Sequence, residues 1–150
     1  MNTDIAKIED SLKDLISKNE DAIKGFEKAS ENSKEVGIKS YFEKKVVERM
    51  QFLKELRASA PELDLGRVEI DGSGAGTLHR TWMDVKAFFA EDNDDAMLEE
   101  VVRGDKAAIL DYDKALAETM MPHRLKEIIR AQKERLQNDL ETTEILENHR

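Results

Sequence analysis

The chain carries three histidines, His79, His123 and His149, and no cysteine. Without thiolates there is no Cys-held metal site, no disulfide and no cysteine nucleophile. The remaining ligand chemistry is carboxylate and imidazole. Helical proteins that hold two iron or two manganese ions inside a bundle place one Glu on each of two helices. A Glu-x-x-His pair on each of the other two sets carboxylate and imidazole on one face. None of the three histidines follows a glutamate at the third position. The nearest spacing is Glu48 with Gln51 in "ERMQ", and an amide is a weak neutral oxygen donor where imidazole belongs. A standard two-metal centre is therefore not expected, and no cofactor is assigned. The metal reading that survives is Fe or Mn on a reduced carboxylate and amide set, with Glu48 and Asp105 as candidate ligands.

A second group of residues interrupts otherwise apolar helical stripes. Asn19, Glu48 with Arg49, Asp105 beside Gly104, and Gln132 each fall near the middle of a long periodic segment, and Tyr112 lies two turns beyond Asp105. If the segments pack antiparallel at equal length, their middles meet at one level. Buried amides and charges then cost free energy unless they are hydrogen-bonded or paired. Arg49 with Asp105 or Glu48 can form such a pair, Asn19 and Gln132 can supply donors and acceptors, and Tyr112 can close the network. Three readings stay open: a satisfied polar layer that fixes helix register, a metal or small-ligand site built on Glu48 and Asp105, or residues at the stripe edges. Gly25 and Gly104 sit mid-helix, where glycine costs about 1 kcal/mol against alanine; close helix contact would offset that.

Outside the long segments lies "DGSGAGTLHRTWMDVKAFF", with three glycines in five residues and the only tryptophan. His79, Arg80 and Trp82 form a candidate anion- or partner-binding motif, though packing is the plainer role for them. "GSGAG" lacks the Lys-Thr or Lys-Ser and the preceding strand of a phosphate loop. The acidic run "AEDNDDAMLEE" lacks the central Gly of a calcium loop and reads as a helix N-terminus favoured by negative charge.

Four amphipathic helices must position these groups. The periodicity predicts helices over about 3–31, with Thr3 as N-cap, over about 35–59, over about 94–119 and over about 122–147. Their stripes include Ile5, Leu12, Ile16 and Phe26; Ile38, Phe42, Val46, Met50, Leu53 and Leu56; Leu98, Val101, Tyr112 and Ala115; and Leu125, Ile129, Leu136, Leu140 and Ile145. Short breaks make two hairpins, and about 32 residues separate them, long for a loop without structure of its own. A short fifth helix is predicted over 77–90, with Leu78, Trp82, Val85 and Phe89 on one side. A helix of about 25 residues is roughly 37 Å long. If the second and third helices run parallel, the connection must travel that length, and a short helix with extended flanks does so. Two hairpins joined by one long crossover is the ferritin-like topology; the alternative is an up-down-up-down bundle with a decorated loop.

On "NEDAIKGFEKA", "ERMQFLKEL", "GSGAGTLHRTWMDVK" and "RGDKAAILDYDKAL", the chain resembles a bacterial family of ferritin-like four-helix-bundle proteins, a domain of unknown function. The likeness spans nearly the whole chain. It implies a fold and no established activity.

At 150 residues one domain, 1–150, is expected. Charged residues at 38% against 39% hydrophobic fit helices with strongly solvated outer faces. A net charge of −9 without a basic stripe argues against nucleic acid. The N-terminal segment is amphipathic and acidic rather than an apolar signal, so a cytoplasmic protein without a membrane partner is expected. The expectation is an all-α structural or interaction protein, with a homo-oligomer or protein partner compatible with its faces. The competing class is a metal-binding or oxidative-stress protein; enzyme activity is left undecided, leaning against.

Overall fold

The computed structural model describes residues 2–61 and 94–148, with side chains described for 5–61 and 97–146. They form four helices and, among the described residues, no strand: α1 (Asn2–Asn32), α2 (Val36–Ser59), α3 (Asp94–Leu116) and α4 (His123–Asn148). The motif His79, Arg80 and Trp82, the 77–90 helix and His149 lie outside the described residues. No helix among the described residues is long and apolar enough to cross a membrane.

The helix ends follow local chemistry. Asn32 Nδ2 and Ser33 Oγ donate to Lys28 O and Ala29 O at 2.8 and 2.7 Å, meeting carbonyls that the end of α1 leaves open. Before Pro61, Ala60 adopts φ −139°, ψ 67° and ends α2. Thr3 falls inside α1 rather than capping it, because the helix begins at Asn2. The third helix stops at Leu116, not near 119, since Glu118 and Met121 N–H groups turn back to Ala115 O and Glu118 O. Pro122 precedes α4, and its carbonyl accepts from Leu125 and Lys126, both at 3.0 Å.

The main packing pairs are α1 with α2 and α3 with α4, and lesser contacts join α1 to α3 and α2 to α4. Their directions can be read from the partners. Along α2, Tyr41, Glu48 and Gln132's acceptor Glu55 meet Asp139, Arg135 and Gln132 of α4, so these two run antiparallel. Phe42 packs in one apolar cluster with Leu98 and Val101, whereas Phe52 and Leu56 share another with Tyr112 and Ala115. The second and third helices are therefore parallel, and the end of α2 and the start of α3 lie at opposite ends of the bundle.

The interior is two apolar clusters with a polar layer between them. Leu12, Leu15, Ile16, Phe52, Leu56, Leu125 and Ile129 build one; Phe26, Phe42, Met97, Leu98 and Val101 build the other. Each fully buried side chain of this size stabilises by about 1.5–3 kcal/mol. In α2 the inward face differs from the expected stripe: Met50 is exposed, while Lys45, Arg49 and Phe52 are buried. Ile5 and Ile145 are likewise exposed, and near the end of α4 the buried position is Thr143.

Candidate functional site

The inward face of α2 carries two cations because α3 and α4 supply anions at the same height. Lys45 Nζ lies 2.9 Å from Asp105 Oδ2, and Arg49 NH2 lies 3.0 Å from Asp105 Oδ1. All three side chains are at least 97% buried. One carboxylate thus holds two cations, each oxygen taking one. Aromatic faces receive the remaining charge: Lys45 Nζ sits 5.0 Å from the Phe26 ring centre, and the Arg49 guanidinium 5.6 Å from Phe26 and 6.0 Å from Phe52.

From Arg49 a chain of hydrogen bonds crosses all four helices. Arg49 NH1 donates to Asn19 Oδ1 at 2.9 Å. Asn19 Nδ2 donates to Leu15 O at 2.8 Å and to the Tyr112 hydroxyl at 3.0 Å. That hydroxyl donates to Gln132 Oε1 at 2.6 Å, and Gln132 Nε2 donates to Glu55 Oε1 at 2.9 Å and to Phe52 O at 3.2 Å. Burial, opposed by Arg49 and by the Asn19 hydrogen bond, pushes the Tyr112 hydroxyl up to about 12, so it stays protonated as a donor.

The structure therefore brings Asn19, Arg49, Asp105, Tyr112 and Gln132 together. Glu48 lies to one side, toward α4. There Arg135 NH2 pairs with Glu48 Oε2 at 3.1 Å, and Asp139 Oδ2 lies 3.6 Å from Lys45 Nζ. Glu48 Oε1 and Asp139 Oδ2 are both buried without another hydrogen-bond partner. Burial first, then the hydrogen bond and charge of Asp139, push the Glu48 carboxyl up to about 7, against the pull of Lys45 and Arg135. A proton on the Glu48 carboxyl gives the pair a donor. Next to them the Tyr41 hydroxyl donates to Asp139 O at 3.1 Å and meets Thr143 Oγ1; burial raises its pKa.

Sequence reasoning missed Lys45, Glu55, Asp139 and Thr143. Lys45 and Asp139 look like ordinary solvated charges in their own helices. The available signal was spacing: Lys45 is one turn before Arg49, and Asp139 two turns after Gln132. Gly25 is buried, and Gly104 borders the layer. His123 is on the surface, 3.5 Å from Glu127.

The family model for the domain of unknown function DUF2383 matches residues 7–118. The chain belongs to this family. No curated protein and no solved structure matches it. The DUF2383 match takes in Asn19, Lys45, Arg49, Asp105 and Tyr112, and ends before α4, which supplies Gln132, Arg135 and Asp139.

A metal ion is tested against these residues by its donor set. Among the described residues, no group of three His, Cys, Asp or Glu is placed to hold one. Asp105 and Asp139 already flank the Lys45 ammonium, whose charge Glu48 also feels, and Arg49 holds the other oxygen of Asp105. A divalent cation entering there would meet two fixed positive charges. The residues do not fit iron or manganese.

Proposed function

We propose that this DUF2383 chain is a bacterial, cytoplasmic, ferritin-like four-helix bundle with a structural or interaction role, in which a buried ion-pair layer stands at the level where ferritin-like oxidases hold metal. The parallel run of α2 and α3 supports the ferritin-like reading, because two hairpins then need one long crossover. The observation that carries the functional half is the Lys45–Asp105–Arg49 cluster. An ammonium and a guanidinium supply the positive charge that the interior carboxylates require, and they do so without redox or Lewis-acid chemistry. The interaction role then falls to outer surfaces, toward a protein partner or a second copy.

Anaerobic titration with Fe(II) and with Mn(II), read by metal analysis and thermal shift, tests this. The expected result is no stoichiometric uptake and no change in melting temperature. Tight binding at a fixed ratio, lost in Glu48→Gln or Asp105→Asn, would overturn the reading in favour of a metal-binding protein.

A further inference from the structure

We propose that the cleft between α1 and α3 is a binding site for a small, uncharged, largely apolar molecule that presents one hydrogen-bond acceptor to Nε of Arg49. The cleft has a volume of about 280 Å³, near the lower limit of the roughly 300–1,000 Å³ usual for ligand pockets. Its walls are Leu15, Ala22, Phe26, Val101, Ala107 and Ala108. It exists because α3 turns Gly104, Ala107 and Ala108 toward it, three residues too small to fill the space against α1.

Asn19, Arg49, Asp105 and Tyr112 provide the polar lining. Most of their hydrogen-bonding capacity is already engaged within the buried chain. One nitrogen is left without a partner: Arg49 is 3% exposed, each terminal nitrogen makes one hydrogen bond, and Nε is buried without an acceptor among the described residues. A buried N–H without a partner is a standing penalty, which an acceptor entering the cleft relieves.

The charges decide the ligand class. The lining holds Lys18, Arg49 and Arg103 against Glu100, Asp105 and Asp111. These are matched locally: Lys18 with Asp111 at 2.7 Å, Arg103 with Glu100, and Arg49 with Asp105 at 3.0 Å, a carboxylate it shares with Lys45, which Asp139 also answers at 3.6 Å. The fixed charges sum to zero, so the cleft offers a ligand ion no net attraction. A carboxylate brought to Arg49 would also crowd Asp105. A neutral carbonyl on an apolar body suits both conditions. The site is independent of the metal question.

Three probes of nearly one shape test the assignment: acetophenone, α-methylstyrene, which replaces the carbonyl by a methylene, and benzoate. Binding is followed by NMR at the Arg49 Nε–H resonance. Acetophenone is expected to shift that resonance saturably with a Kd on the order of 1 mM. It should bind at least about tenfold tighter than α-methylstyrene, and tighter than benzoate. Ala107→Phe and, separately, Ala108→Leu should remove binding while melting temperature and helix content stay close to the parent. The proposal is overturned if acetophenone gives no saturable shift, if either other probe binds as tightly, or if a folded cleft-filling variant still binds.

Discussion

Replacing Asp105 by asparagine keeps the shape of the side chain and removes its charge. In the parent, Asp105 is 1% exposed and holds Lys45 at 2.9 Å and Arg49 at 3.0 Å. Removing one partner of a buried ion pair costs about 3–5 kcal/mol, because the other charge is left uncompensated in the interior. Here two cations are stranded, yet each keeps something: Lys45 has Asp139 at 3.6 Å, and Arg49 keeps Asn19 at 2.9 Å. The loss should therefore fall near the lower bound, about 3 kcal/mol. A chain of this length has a stability of roughly 7–20 kcal/mol, so the variant folds. Its melting temperature should fall by about 6–12 °C, and its urea midpoint by about 1–2 M at unchanged slope. Calorimetry and urea titration followed by circular dichroism measure both. Lys45→Met should cost less in the Asp105→Asn background than alone, by about 1 kcal/mol or more, since both changes break the same ion pair. A single-variant loss below about 1 kcal/mol, or full additivity of the two changes, would refute the view that Lys45 and Arg49 depend on Asp105 for their charge balance.

Tyr112→Phe removes the hydroxyl shared by Asn19 and Gln132 and should cost about 1–2 kcal/mol in urea titration. Gln132→Leu should cost less in that background than alone, since the two changes break the same bond. The Glu48 carboxyl is raised from 4.5 to about 7 in the folded state, so the native protein keeps a proton that the unfolded chain gives up. Its contribution is present below 4.5 and lost as pH rises to about 7. Full linkage would be about 3 kcal/mol, reduced to about 1 kcal/mol by solvent access beside Arg135. Melting temperatures measured at about pH 5 and about pH 8 should show this fall, and Glu48→Gln should flatten it. On the outer face, Val47→Thr and Met50→Gln should change stability by no more than about 0.5 kcal/mol. Phe42→Ala, at a fully buried position, should cost about 3–5 kcal/mol by the same assay.

The four helices were legible because each repeats its apolar residues over several turns, a signal that local sequence carries by itself. Phase within a helix was harder. In α2 the apolar series Val46, Met50, Leu53 implies a face that leaves Lys45 at the edge, yet Lys45 is buried and Met50 is not. What reverses the preference is Asp105 and Asp139, which arrive from two other helices. No feature of α2 announces them. Ile145 misled in the same way: Thr143 takes the inward position because Tyr41 of α2 meets its hydroxyl. The mid-helix polar residues were readable as interruptions, since Asn19, Asp105 and Gln132 replace apolar residues at inward positions. Their partners were not, because pairing depends on register between helices, which periodicity leaves free.

The charges of the polar layer divide by sign between the two halves of the polypeptide. The first hairpin contributes Asn19, Lys45, Arg49 and Glu55; the second contributes Asp105, Tyr112, Gln132 and Asp139. Two copies of the first half associating with each other would bury four cationic groups without Asp105 or Asp139, leaving only Glu48 and Glu55 to answer them. Such self-association is opposed by the same electrostatics that joins unlike halves. If the chain were cut in its long connection, the two fragments should reject their own kind and reassemble with one another, so the sequence encodes mutual selection between its hairpins as well as the shape of each.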